Sequence, residues 1–327
     1  MPTTRKPRDG SMQFWPRKKA RRQYPKIRSW AAKKEAVPLG FSGYKVGMAH
    51  VMYTDNRKTS QTKGQDISCP VTIIECPPLK VVGVRFYKKD AYGSKAAKDI
   101  VVPAEKELAR KVHLPKKSRD KELEKIDPEE YDDITIIVCT QPKLAGIGKK
   151  KPEIFEIGLG GSIKEKLDYT KSILGKDLKI SDIFKEGGLV DIHAVTKGKG
   201  FQGPVKRFGI GIRSHKSEKT KRGPGSLGGW KGQGHFMYRI AHAGQTGYQT
   251  RTEYNKWVMK IGHDPKDIEA VNPKGGFKSY GIVKNPYVLI KGSVTGPAKR
   301  LIRINTALRG RKQTPKEAPS IQKMILG

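Results

Sequence analysis

Sixty-seven Lys and Arg against 31 Asp and Glu give the 327 residues a formal charge of +36 and a pI near 10.1, which disfavours a chain built around a neutral small-molecule substrate and asks for a polyanionic partner. At 35% hydrophobic residues the chain can still bury a core, so it is no disordered basic tail, and its length fits roughly two domains of about 150 residues. No run approaches the ~20 apolar residues of a bilayer span, and no apolar h-region follows the basic N-terminus, so a protein outside membranes is expected.

Residues 1–38 are rich in Arg, Lys and Pro with Trp15 and Trp30 interspersed, and read as an extended basic arm without a core of its own. Strand-like runs follow in GYKVGMAHVMYT, VTIIECP and VVGVRFY, the last two separated by Pro77 and Pro78. Residues 98–133 hold 11 of the 31 carboxylates and the helix-compatible VPAEKELARKV and DKELEKIDPEEY. ITIIVCT and IFEIGL read as strands, whereas SIKEKLDYTKSIL and ISDIF read as helices with Ser162 and Ser181 as N-caps, so 98–187 is expected to be an α+β insertion. GLVDIHAVT resumes the strand pattern, and WVMKIG, YGIVKNPYVLIKGSVTG and KRLIRIN return to it beyond residue 256. The last residues, RGRKQTPKEAPSIQKMILG, read as a flexible tail with a few sticky apolar positions. Cys69, Cys76 and Cys139 form neither a CxxC pair nor an even disulfide framework, which predicts a reducing compartment and small apolar core positions.

Between these strands lies an excursion with neither the period of an amphipathic helix nor that of a strand, in which only Glu218 and Glu253 offset the cations from Lys197 to Lys260. It is not expected to fold on itself, and a structureless connection of such length is usually functional. Lys197, Lys199, Lys206, Arg207, Arg213 and Lys216 are expected to neutralise RNA phosphates, together with Lys219, Lys221, Arg222, Lys231, Arg239 and Arg251. Phe201, Phe208, Trp230, His235 and Tyr248 offer faces for base stacking. His215 and His242 join His235 as side chains that stack on or bond to RNA, with plain solvent exposure as the alternative, and Gln245 completes the candidate set.

Enzymatic readings are weaker. Gly198, Gly200 and Gly203 satisfy GxGxxG, but Pro204 follows at once, no apolar helix is expected to open there, and Glu218 lies in HKSEKTKRG instead of at a strand end. No P-loop, HExxH or zinc spacing occurs, His193 reads as a packed or edge histidine of its strand, and the paired carboxylates of the insertion read as a charged helix face. No catalytic residue, metal or cofactor is expected.

The segments VDIHAVTKGKGFQGPVKRFG, RGPGSLGGWKGQGHF and AHAGQTGYQTRTEYNKW closely resemble the universal L3 family of large-subunit ribosomal proteins in its archaeal and eukaryotic form, as do RKPRDGSMQFWPRKKA and GFSGYKVGMAHV. The resemblance covers most of the chain. It implies a mainly β fold, with a translation-protein-type β-barrel built from 39–97 and 188–304, interrupted by the insertion, flanked by the arm and a 305–327 tail. A finger at 198–256 would penetrate the rRNA, its tip of Gly229, Trp230 and Lys231 near the peptidyl transferase centre. The resemblance further implies a primary binder near the 3′ end of 23S-type rRNA that nucleates assembly beside neighbouring ribosomal proteins in the cytoplasm. Lys206 stands where eukaryotic relatives carry a histidine that can be methylated. Two rivals share part of this pattern: a DNA-compacting protein, separable by selective protection of rRNA over duplex DNA, and an RNA-modifying enzyme, which would have to bind a nucleotide cofactor.

Overall fold

Alternation of apolar residues in AHVMYT and unbroken apolar runs such as VTII and ITIIV are the periodicities of half-buried and fully buried strands, and strands form there. The computed structural model describes residues 10–57, 60–103, 106–113, 115, 121–229, 234, 236–310 and 317–326. With 36% strand and 13% helix the chain is mainly β.

In chain order the elements are β1 (Gly40–Thr54), β2 (Asp66–Glu75), β3 (Leu79–Asp90), β4 (Gly93–Val101), α1 (Lys121–Glu124), β5 (Asp133–Thr140), β6 (Ile154–Gly158), α2 (Ile163–Ile173), β7 (Asp177–Leu178) and β8 (Leu189–Val195). The excursion holds β9 (Phe201–Gln202), α3 (Pro204–Phe208) and β10 (Gly244–Gln245). Then come β11 (Thr250–Gly262), α4 (Pro265–Ala270), β12 (Tyr287–Lys291), β13 (Leu301–Thr306) and β14 (Ser320–Ile325).

Seven strands pair in the order β13-β8-β11-β12-β2-β1-β14, and β13 also pairs with β1, so the hydrogen-bonded path leaving β1 through β2 returns to β1. A second sheet runs β4-β3-β5-β6, with β7 on β3. Phe41, Val51, Val71, Ile73, Leu289 and Ile302 are essentially inaccessible to solvent in the main core. Glu75 is buried among them because its carboxylate has partners enough: Tyr280 Oη, the Lys284 and Asn285 backbone N–H groups at 2.9 Å, and Asn285 Nδ2 at 2.7 Å all donate to it. All three cysteines are free and buried, as core positions require.

Helix α2 forms as its sequence predicts, with the Ser162 N–H donating to Glu165 Oε2 at 3.0 Å and Leu167 and Thr170 buried. Other helical expectations are corrected. Among the described residues VPAEKELARKV yields only a 3-10 segment, Lys106–Arg110, and DKELEKIDPEEY breaks before Pro128, which cannot donate a helical hydrogen bond, into α1 and the 3-10 turn Pro128–Glu130. ISDIF forms the 3-10 turn Ile180–Asp182, so Ser181 lies inside it; the Asp182 carboxylate accepts from the Lys179 N–H at 3.1 Å. The supposed flexible tail contains β14, which pairs with β1 from His50↔Ile325 to Thr54↔Ser320 while Ile321 and Met324 pack on the core.

The chain divides into two compact units, one of Met1–Arg22 and Val195–Thr250, the other of Gln23–Ala194 and Arg251–Gly327. The basic sequence at the N-terminus is therefore shared between them. In the larger unit Tyr24 and Ile27 are buried, the Tyr24 hydroxyl donates to Ile154 O at 2.8 Å, and the Trp30 indole lies over Gly158, where a Cβ would come within 2.7 Å of the ring.

Candidate nucleic-acid interface

The excursion begins where β8 ends and closes on itself through its backbone. Within it the Thr196 N–H donates to Gln249 O at 2.9 Å, Lys199 N–H to Thr246 O at 3.0 Å and Thr246 N–H to Gly200 O at 2.9 Å, and β9 pairs with β10 through Phe201↔Gln245 and Gln202↔Gly244. Gly247 makes this closure possible: it takes φ 69°, and a Cβ there would lie 2.1 Å from Lys197 O.

A helix does open after Gly203, contrary to the sequence expectation, because Pro204 occupies the first helical position, where its missing N–H would have had no partner anyway. It ends after one turn at Gly209, φ 75°. Five residues that bury only Phe208, beginning well after β8 has ended, do not make a dinucleotide site.

Phe208 is not a stacking face for bases either. It is 6% exposed, with the Arg17 guanidinium 4.3 Å from its ring centroid, Arg207 at 5.1 Å and the Trp15 ring edge-on at 6.1 Å. Arg17 Nη1 donates to Arg207 O at 3.0 Å, so residues of the N-terminal segment are tied to α3 within this unit. No periodicity could have announced that contact, which joins residues 190 apart.

The candidate contact residues fall into three groups. Lys197, Lys199, Lys206, Arg213, His215, Lys216, Lys219, Lys221, Arg222 and Arg239 are exposed, as is Phe201 at 77%. Lys197, Lys199, Lys206, Arg213, Lys216, Lys219, Lys221 and Arg222 pair with no carboxylate among the described residues. A second group is half-buried and engaged internally. Arg207 donates from Nε to Gln245 O at 3.2 Å and from Nη1 to His242 O at 2.8 Å, and desolvation lowers its pKa. Gln245 Nε2 donates to Thr246 O and Gly247 O at 3.2 and 3.1 Å, and His242 Nε2 sits 3.4 Å from Met237 O. Tyr248 takes φ 56° beside Gly198, and its carbonyl accepts from the Ala20 N–H at 2.8 Å; Arg251 is half-buried at the start of β11. Trp230, Lys231 and His235 lie outside the described residues, and Gly229 is exposed just before them.

Charge follows the same division. Residues 1–22 and 195–250 carry 19 Lys and Arg against Asp9 and Glu218, a net +17 in 78 residues, whereas the other 249 residues carry +19. Among the described residues no three or more His, Cys, Asp or Glu are placed to hold a metal, and no helix is long and apolar enough to cross a membrane.

A mainly β scaffold whose excursion presents exposed cations without carboxylate partners among the described residues carries the electrostatic footprint of proteins that bind polyphosphate chains. The profile of the family described as ribosomal protein L3 matches residues 1–325, and the chain belongs to that family, a structural and non-enzymatic component of the ribosome. It is 49% identical to the large ribosomal subunit protein uL3 of Methanothermobacter thermautotrophicus over 96% of this chain and 95% of the relative. The proteins of the same description from Methanosphaera stadtmanae and Methanopyrus kandleri are 46% and 42% identical, covering 93% and 97% of this chain and 92% and 89% of theirs.

Proposed function

We propose that this chain is a structural constituent of the large ribosomal subunit that binds its 23S-type rRNA and neighbouring ribosomal proteins, and stiffens RNA by neutralising phosphates without covalent chemistry. The observation that carries this is the set of exposed cations between Lys197 and Arg222 that lack carboxylate partners among the described residues. Released counterions would supply the binding free energy, and neutralised phosphates would let RNA helices approach more closely.

Finer features rest on the family resemblance together with the strand pairing. The path of pairings that returns to β1 supports a β-barrel with β1 and β2 from 39–97 and β8, β11, β12 and β13 from the part that follows residue 187, while β3 and β4 pair in the second sheet with strands of the 98–187 insertion. In this reading 198–256 is a finger whose tip at Gly229, Trp230 and Lys231 approaches the peptidyl transferase centre, residues 1–38 and the 299–316 basic segment extend the footprint, and the protein binds early, near the 3′ end of the rRNA, in the cytoplasm.

Binding of the free protein to large-subunit rRNA fragments across a salt series tests it. Each neutralised phosphate contributes about −0.7 to −0.9 to the log–log slope, so replacing Lys219, Lys221 and Arg222 by Ala should flatten the slope by about two to three units. An unchanged slope would mean that these side chains stay solvated and that the charge serves only solubility.

A further inference from the structure

Beyond its cations, the excursion displays aromatic rings in an ordered way. The Met237 N–H donates to Leu227 O at 3.2 Å, and Ile240 N–H to Met237 O at 3.2 Å, which holds this stretch against the residues before the tip. Gly228 takes φ 103°, and a Cβ on it would lie 2.2 Å from Met237 Cγ and 3.5 Å from Ile240 Cδ1, so Met237 and Ile240 pack over a residue that must lack a side chain. With Met237 turned inward, its neighbours are left outside: Phe236 is 56% exposed and Tyr238 68%.

Both rings are braced. The His242 ring lies 5.9 Å from Phe236 at 55°, and the Arg239 guanidinium lies 5.8 Å from the Tyr238 centroid. Two exposed aromatics on either side of an inward-packed residue form an apolar patch of the kind that marks an interaction surface. In this segment the partner must also be anionic, because Glu218 is the only carboxylate between Val195 and Thr250. Flat apolar faces on a phosphate chain meet both demands.

We propose that Phe236 and Tyr238 form a two-ring platform on which unpaired bases of single-stranded RNA stack, with Arg239 bracing the second ring. This rests on the RNA-binding reading above and names the chemistry that reading leaves open: base faces here, phosphates at Lys197 to Arg222.

The test uses the full chain, a 12-nucleotide oligoadenylate and an abasic 12-mer with the same number of phosphates. Wild type should prefer the base-bearing oligomer by about tenfold or more, as one or two stacked bases provide. F236A/Y238A should lose most of that preference with its log–log salt slope unchanged, and F236W/Y238W, which keeps two flat rings, should retain it. The platform is overturned if F236A/Y238A keeps the preference within twofold, or if wild type binds both oligomers equally. Equal binding with a steep salt slope would leave the RNA-binding reading standing, as would an acidic peptide competing at the rings alone. Failure of wild type to bind either oligomer at low salt would bring down both.

Discussion

Lys206 and Arg207 are neighbours in the last turn of α3 and were indistinguishable as sequence, since composition assigns both to phosphates. The structure separates them: Lys206 is exposed, while Arg207 holds the carbonyls of His242 and Gln245. Lys206→Ala should reduce the salt slope of RNA binding by about one unit and leave the fold alone. Arg207→Ala should leave the slope nearly unchanged but speed amide exchange around residues 242–247, because the carbonyls of His242, Ala243 and Gln245 lose their donor. Gly247→Ala should act more severely, adding a left-handed backbone penalty of about 1–2 kcal/mol to a collision with Lys197 O, read as lost protection at Thr196 and Thr246. His193 carries a pH signature. Its Nδ1 is 2.9 Å from Thr252 Oγ1, and desolvation, then the Arg303 charge, lower its pKa from the ordinary 6.5 against the opposing pull of Asp191. Below pH 6.5 the unfolded chain binds the proton more readily than the folded one, so stability is level above that pH and falls as the pH drops through it. Urea titrations from pH 7.5 to 5 should show this loss in wild type and a smaller one in His193→Gln.

Among elements, legibility tracked local periodicity. β1, β2, β5, β8 and α2 were readable because alternating or continuous apolar residues and the Ser162–Glu165 cap are local signals. β14 was not, because SIQKMI exposes most of its side chains and becomes a strand only by adding to β1. The one-turn α3 was equally hidden, its single buried ring depending on Trp15 and Arg17 from far upstream. Removing residues 320–327 should therefore cost about 1–3 kcal/mol through Ile321 and Met324, judged by denaturant midpoint, and should leave β1 as an open edge. Faster exchange at residues 50–54, with a rising tendency to aggregate, is the accompanying observation expected. If exchange there is unaffected, β14 contributes little to the sheet.

At the scale of the molecule, the charge total was read directly from composition, and its concentration in one unit was visible as the carboxylate-poor stretch; that residues 1–22 share that unit was not, because no sequence pattern encodes contact between distant loops. Trypsin acting on the free protein should cut between Lys216 and Arg222 well before it cuts after Arg303 in β13, a site that is buried. The strands that flank the excursion have a further implication. β8 and β11 are hydrogen-bonded neighbours, and Thr196 bonds to Gln249, so the chain leaves and returns at almost the same point. Closing a flexible loop costs about (3/2)RT ln n, so replacing residues 197–248 by a four-residue turn would recover about 2 kcal/mol of loop entropy while preserving every strand of the larger unit. Such a minichain should melt higher than the parent when both are free of RNA. The family's scaffold can on these grounds be inherited, lengthened or pruned independently of what the excursion does, because the junction where the two meet is thermodynamically inexpensive to edit.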